Sequence, residues 1–303
     1  MLRTLRVCSV VALTLAVAAC TADRTAATSS PAASPPPAAI AAPEPEPTPE
    51  PVVDAPKEAA VAPAEPEPEP EPAAVAPVTP SKVLILGDSL AATGFGALLE
   101  KKLDAHPHIE CFRKAKSATG LARPDFYDWQ AEAKKQIEAR QPDLVVVIMG
   151  GNDGQDLQPR SGKGKRVAWK SEEWNAAYKG RVEEFLQDLG ERKVLWLGLP
   201  KSELGSFEQK LTVIRQVQSE AVATLGQTGT YVETTPMLSN EQGELLEKAT
   251  VGRHKNQTLR EEDGIHFTMA GSEYFADKVY PEVLKVLGVE DVAPEPKTGK
   301  KKR

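Results

Sequence analysis

Ser89 stands directly after the short apolar run Val83 to Leu86 and the Gly87-Asp88 pair, and directly before Leu90-Ala91-Ala92. A serine hydroxyl is a weak nucleophile until a neighbouring base takes its proton. The attacked oxygen then needs donors aimed at the charge it develops. The chain holds candidates for each part. Asp263 precedes His266 by three residues, close enough for the carboxylate to hold one ring nitrogen while the other acts as base. Asn152 offers a side-chain NH₂, and Gly120 a backbone N–H that no side chain obstructs. These residue types suit acyl transfer. Taken alone, Asp88-Ser89 serves equally well as a helix cap, since both types are preferred there.

The elements that must position these residues follow from the apolar pattern. Strands are expected at Val83 to Leu86, Ile109 to Phe112, Leu144 to Met149, Lys193 to Gly198 and Thr230 to Glu233. Helical spacing runs from Phe95 to Leu103, Asp128 to Ala139, onward from Ser171-Glu-Glu-Trp174, Glu203 to Leu225, and Thr268 to Leu287. Gln155 to Ser171 reads as a polar, basic insertion, and Ser239 to Glu262 as irregular and polar. Strands alternating with helices predict an α/β domain, a three-layer α/β/α sandwich on a mostly parallel five-stranded sheet. Ligands bind outside the carboxyl ends of such strands. Ser89, Gly120 and Asn152 follow the first three strands, so they are expected to converge there, with Asp263 and His266 placed just before the last helix.

The chain ends have a different character. Arg3 and Arg6 precede the apolar run Val7 to Ala19, which is too short to span a bilayer and has the shape of a secretory signal. It ends Val17-Ala18-Ala19-Cys20, which resembles a bacterial lipoprotein lipobox. That resemblance implies lipidation at Cys20, attachment to a membrane and an envelope location facing the periplasm or exterior. Residues 21–80 are almost wholly Ala, Pro, Glu, Ser and Thr, and their Glu-Pro alternation supports neither helix nor sheet. In polyproline II at about 3.1 Å per residue this linker reaches on the order of 180 Å. The net charge of the chain is −6. The linker's carboxylates account for the excess, and residues 81–303 are balanced. Residues 293–303 form a basic tail ending Lys300-Lys301-Lys302-Arg303. The working domain is therefore expected at 81–292.

Several single residues point away from other chemistries. Cys111 is the one cysteine beyond the signal region, so neither a disulfide framework nor a metal-binding cysteine pair is available to the domain. It reads as a small buried apolar group. His106 and His108 flank a proline in a polar stretch and read as surface histidines, and His254 as part of a solvated loop. Asp153 is either a turn residue or an orienter of the Asn152 loop. The basic insertion, with Trp169 and Trp174, reads as a solvated loop followed by a core-facing Trp174, and the alternative is an acidic-glycan surface. No nucleic acid partner, metal or cofactor is expected, since neither a basic excess nor a known motif is present.

Gly87-Asp88-Ser89-Leu90, then Gly120, Gly150-x-Asn152-Asp153 and Asp263-x-x-His266 resemble, in chain order, the four blocks of the SGNH (GDSL) hydrolase superfamily. Ser117 to Trp129 and Trp196 to Pro200 resemble its DUF459 branch. The resemblance covers Ser81 to Leu287 and implies a flavodoxin-like α/β/α fold. It implies that Ser89 is the nucleophile, His266 the base and Asp263 its orienting acid. The oxyanion hole would be formed by the N–H groups of Ser89 and Gly120 with the Asn152 side chain. Ala91 and Ala92 depart from the hydroxylated residues many relatives carry there. The implied activity is ester hydrolysis. A tethered domain with long reach points to O-acetyl groups on peptidoglycan or another acylated envelope glycan. The alternatives are a lipase, thioesterase or acyltransferase of the same superfamily, or a glycan-binding scaffold without catalysis.

Overall fold

The structure, a computed structural model, describes residues 79–292. The signal, Cys20, the linker up to residue 78 and the tail 293–303 lie outside the described residues. Among the described residues no helix is long and apolar enough to cross a membrane.

Strand β1 (Ser81–Gly87) is flanked by β2 (Ile109–Ala115) and β3 (Leu144–Ile148). Beyond β3 follow β4 (Lys193–Leu197) and β5 (Gly229–Val232), giving the order β2-β1-β3-β4-β5 with every pairing parallel. The apolar residues of β1, β3 and β4 are buried on both faces, which is why they read as unbroken runs rather than alternations. Helices α1 (Ser89–Ala92), α2 (Gly94–Asp104), α3 (Trp129–Arg140), α4 (Trp174–Asp188), α5 (Gly205–Ala223) and α6 (Met269–Leu287) complete the layers. Helix α2 packs against α6, while α3 packs on α4 and α4 on α5. The three-layer sandwich expected from the sequence is therefore present. Trp129, Trp174 and Trp196 are fully buried and fill it.

Four expectations need correction. Strand β2 continues to Ala115, because Arg113, Lys114 and Ala115 pair with Ile85, Leu86 and Gly87 of β1. That extension comes from a long-range partner, and these side chains are only half-buried, so no apolar run marks it. The stretch Ser239 to Glu262 is not irregular throughout. It contains an antiparallel hairpin of β6 (Lys248–Val251) and β7 (His254–Thr258), turning at Gly252 with φ +53°. Only Val251 of its strands is buried, so burial writes no period of two into the sequence. His254 is exposed, but on β7 rather than on a loop. His106 is not a surface residue: it is 3% exposed, and its Nε2 lies 2.9 Å from the Glu290 carbonyl oxygen, so the Nε2–H donates there in the corresponding tautomer. His108 is exposed, as expected.

The flanking loops are also more structured than their composition suggests. In the basic insertion, Leu157 is buried and bridges Val167 in antiparallel fashion. Trp174 donates its indole N–H to the Gln155 carbonyl at 2.8 Å. Lys163, Lys165 and Lys170 remain exposed. Cys111 is buried, and desolvation pushes its thiol well up, away from the thiolate form.

Candidate active site

The chain leaves β1 at Gly87, where there is no room for a side chain. A Cβ there would lie 2.1 Å from the Ile148 carbonyl oxygen on β3. Asp88 follows as the N-cap of α1, its carboxylate accepting from Leu90 N at 3.1 Å. The same carboxylate accepts from Gly150 N at 3.0 Å and Gly151 N at 3.1 Å, in the loop after β3. Asp88 is thus the cap, and capping leaves Ser89 as the first residue of α1. Asp88 is 1% exposed, and burial drives its carboxyl up to about 6. The three N–H groups pull it down, and buried Asp153 adds to the rise.

Ser89 and Asn152 meet because β1 and β3 are adjacent while β2 lies on the other side of β1. This reversal of strand order opens a crevice at the carboxyl ends. His266 reaches that crevice from the far end of the chain. Its Nε2 lies 2.8 Å from Ser89 Oγ, and its Nδ1 lies 2.6 Å from Asp263 Oδ2. The other oxygen of Asp263 accepts from Ile265 N at 2.8 Å and His266 N at 2.9 Å. Partial desolvation pulls the Asp263 carboxyl up, but the His266 ring and these two N–H groups outweigh it and hold it at about 2. It is therefore ionised at neutral pH and accepts from His266 in the tautomer with the proton on Nδ1, the one that leaves Nε2 able to accept from Ser89.

Asn152 donates from Nδ2 to the Thr119 carbonyl at 2.9 Å, which sets the orientation of its amide. A primary amide carries two N–H donors, so one remains. Among the described residues no protein group accepts from Ser89 N or Gly120 N. Asn152 and Ser89 line one common cavity, whereas Gly120 is buried and lies outside its lining. Gly120 sits against Asp153, where a Cβ would come within 2.1 Å of the carboxylate.

Asp153 is the residue on which sequence reasoning stayed divided, and it is the anchor of this side of the site. It is fully buried and accepts from Leu121 N at 3.0 Å, Ala122 N at 2.8 Å and Tyr178 Oη at 2.8 Å. Burial raises its carboxyl, opposed by those donors. Gln218 donates to Tyr178 Oη at 3.0 Å and to the Met149 carbonyl at 2.9 Å, while Trp196 donates to Gln218 at 3.2 Å. The Gly120 and Asn152 loops are thus held by one buried polar network. Tyr178 lies on the buried face of α4, and Gln218 on that of α5. The available signal was a glutamine on the apolar stripe of α5 formed by Leu211, Ile214, Val217, Ala221 and Val222.

Arg260 was also missed, inside the stretch read as irregular. It is 8% exposed and donates to the Ile265 carbonyl at 2.5 Å and the Lys201 carbonyl at 2.9 Å. Its guanidinium lies 4.0 Å from the centre of the Phe267 ring. Burial lowers its pKa to about 10, against the pull of Glu203, Asp263 and Glu208, so it stays charged and clamps the turn that carries Asp263 and His266.

The cavity beside Ser89 has a volume of about 130 Å³. Its apolar wall is Leu90, Leu199, Pro200, Phe207, Leu211 and Ile265. Among the described residues no group of three His, Cys, Asp or Glu is placed to hold a metal ion.

The parallel sheet in this order, with helices on both faces, is the α/β/α fold that the SGNH (GDSL) resemblance implies. Residues 82–282 match the family described as protein of unknown function (DUF459), and the chain belongs to that family. No curated protein sequence matches the chain. Among solved structures, a lipase/acylhydrolase from Enterococcus faecalis superposes with a TM-score of 0.50 at 16% identity, over 71% of this chain and 99% of its own. An acetylxylan esterase from Geobacillus stearothermophilus, solved as a catalytic mutant, gives 0.46 at 16% identity over 70% and 96%. A carbohydrate acetylesterase family member from Sinorhizobium meliloti gives 0.45 at 13% identity, over 69% and 100%. At these identities the likeness concerns the fold.

Proposed function

We propose that the domain is a serine esterase in which Ser89, His266 and Asp263 form the catalytic triad. The observation that carries this reading is the continuous chain of contacts Ser89–His266–Asp263, at 2.8 Å and 2.6 Å. Ser89 Oγ attacks the acyl carbon while its proton passes to His266 Nε2. The oxyanion is received by Ser89 N, Gly120 N and the second N–H of Asn152. Collapse expels the alcohol, which takes the proton from His266 and leaves an acyl-serine. Water then attacks the acyl carbon, giving its proton to His266, and Ser89 leaves with that proton as the carboxylic acid departs. Asp263 stays ionised throughout and stabilises the imidazolium.

The cavity volume of about 130 Å³ favours a short acyl group. Its wall beside Ser89 is mostly apolar, which suits an acetyl methyl group. With the lipobox at Cys20 and the long linker, this supports an envelope-anchored enzyme acting on O-acetyl groups of peptidoglycan or another envelope polysaccharide. Purified wild type is expected to release acetate from isolated acetylated cell-wall polymer and to react covalently with a fluorophosphonate. Ser89→Ala should do neither while keeping its circular dichroism spectrum. Labelling or turnover that survives in Ser89→Ala removes the assigned nucleophile. Hydrolysis of short acyl esters without release from any envelope polymer removes the proposed substrate and leaves the triad.

A further inference from the structure

A second, larger cavity of about 470 Å³ adjoins the first, and the two share Gly151, Asn152 and Phe207 as their common wall. Its remaining lining has a distinct character. No acidic residue lines it, and two cations do, Arg123 and Lys210. Phe126 adds an aromatic ring that is 57% exposed, which is unusual for so large an apolar group.

The charges around this cavity are not equivalent. Arg123 is engaged with Asp125 at 2.8 Å. Asp156, next to the lining residue Gln155, faces Arg166 at 3.1 Å and accepts from Trp169 N at 2.7 Å. Asp128 faces Arg160 at 3.4 Å. Nearby carboxylates are thus taken up by guanidinium groups, whereas Lys210 makes no ion pair among the described residues. The Lys210 stem is not loose either. It packs over Gly154, whose missing side chain makes the space: a Cβ there would meet Lys210 Cδ at 2.8 Å. Gly154 is buried and lies two residues after Asn152, so the ammonium is tethered to the same loop that carries the oxyanion donor.

An ester has two arms. The cavity at Ser89 accommodates one small apolar arm, and the other must leave past Asn152 and Phe207. We infer that this second cavity is a binding site for an anionic group on the substrate, so that the protein selects esters bearing a carboxylate or phosphate on the arm that passes Asn152, with Lys210 as the specificity-determining cation and Phe126 as the apolar platform beside it. The inference rests on the esterase reading and narrows it from esters in general to anionic esters. A single cation at a partly open site is expected to shift preference by about five- to tenfold, and salt should weaken it.

Two matched ester pairs test this with the full chain. In one the charge is on the alcohol: 4-carboxyphenyl acetate against its methyl ester. In the other it is on the acyl group: 4-nitrophenyl hydrogen glutarate against 4-nitrophenyl methyl glutarate. The quantity read is the anionic-to-neutral ratio of kcat/KM within each pair. In at least one pair this ratio should fall about five- to tenfold in Lys210→Gln, stay near the wild-type value in Lys210→Arg, and fall in wild type as ionic strength rises. The responding pair identifies which half of the ester occupies the second cavity. Ratios that are equal in wild type and Lys210→Gln for both pairs overturn the inference while leaving the esterase intact. Failure to hydrolyse any of the four esters, together with absent fluorophosphonate labelling, overturns the esterase reading and this inference with it.

Discussion

Asp88 carries two jobs that a single carboxylate rarely combines. It caps the turn bearing Ser89, and it holds the loop bearing Asn152 through Gly150 and Gly151. Asn at this position keeps the shape but places an NH₂ where one set of backbone donors already points. Asp88→Asn should therefore cost about 1–3 kcal/mol of stability, read from urea unfolding. The proton linkage also has a definite sign. In the folded chain Asp88 keeps its proton up to about 6, whereas the free carboxyl releases it near 3.8. Between those values the folded state binds more protons, so the Asp88 contribution to stability is present at low pH and is lost as pH rises through about 6. Asp263, held at about 2, acts in the opposite sense: its contribution is present above the ordinary carboxyl range and is lost as pH falls towards 2. The stability advantage of wild type over Asp88→Asn should accordingly shrink as pH rises from about 4 to about 6. A constant difference across that window contradicts the assignment. At Asn152, loss of the amide removes one of the proposed oxyanion donors, so Asn152→Ala should lower kcat about 10²- to 10³-fold with the fold preserved, read from steady-state kinetics on a short acetyl ester.

Each of the two sides of the site depends on an element whose role is support. On one side, α4 and α5 supply Tyr178 and Gln218 to the carboxylate of Asp153, which in turn holds Leu121 and Ala122 beside Gly120. Tyr178→Phe removes one buried donor and leaves Asp153 and Gln218 each short of a partner. A loss of about 1–3 kcal/mol is expected in the same unfolding assay. On the other side, Arg260 clamps the turn between β7 and α6. Arg260→Met should slow the rate of fluorophosphonate labelling while the final stoichiometry stays at about one per chain. Arg260→Lys should recover only part of the rate, because one ammonium cannot span the Ile265 and Lys201 carbonyls as a planar fork does. An unchanged labelling rate in Arg260→Met would show that the clamp does not position His266.

For the molecule as a whole, the decisive fact is that Ser89 and His266 are brought together across a sequence separation of 177 residues. Ser89 and His266 meet only when β1 lies inside the sheet and α6 packs on α2. The reactive centre therefore reports complete folding, and labelling by fluorophosphonate should be lost at the same urea concentration as the tertiary fluorescence of the buried tryptophans. The acidic linker and the lipidation proposed at Cys20 belong to this scale as well. Cys20→Ser should shift the protein from the membrane fraction to the soluble envelope fraction without changing turnover of soluble esters, as measured by fractionation and assay together. Retention in the membrane fraction would remove Cys20 as the anchor.

The sequence by itself determined the alternation of strands and helices, and with it the three layers, and it named the candidate site residues. Buried parallel strands leave unbroken apolar runs, and the four short blocks Gly87 to Leu90, Gly120, Gly150 to Asp153 and Asp263 to His266 each carry their proposed reacting groups locally. Tertiary structure alone decided what holds those groups in place. Asp153, Tyr178, Gln218 and Arg260 look like a turn residue, a core aromatic and two ordinary polar residues until partners arrive from elsewhere in the chain, as the Lys201 carbonyl does for Arg260. The hairpin at β6 and β7 and the extension of β2 stayed hidden for a related reason: pairing with a neighbouring strand defines them, and burial does not. The two adjoining cavities, one apolar and one cationic, are likewise properties of surfaces brought together by the fold. Side-chain type is written residue by residue, whereas a partner some thirty to nearly two hundred residues away is fixed only when the whole chain is packed.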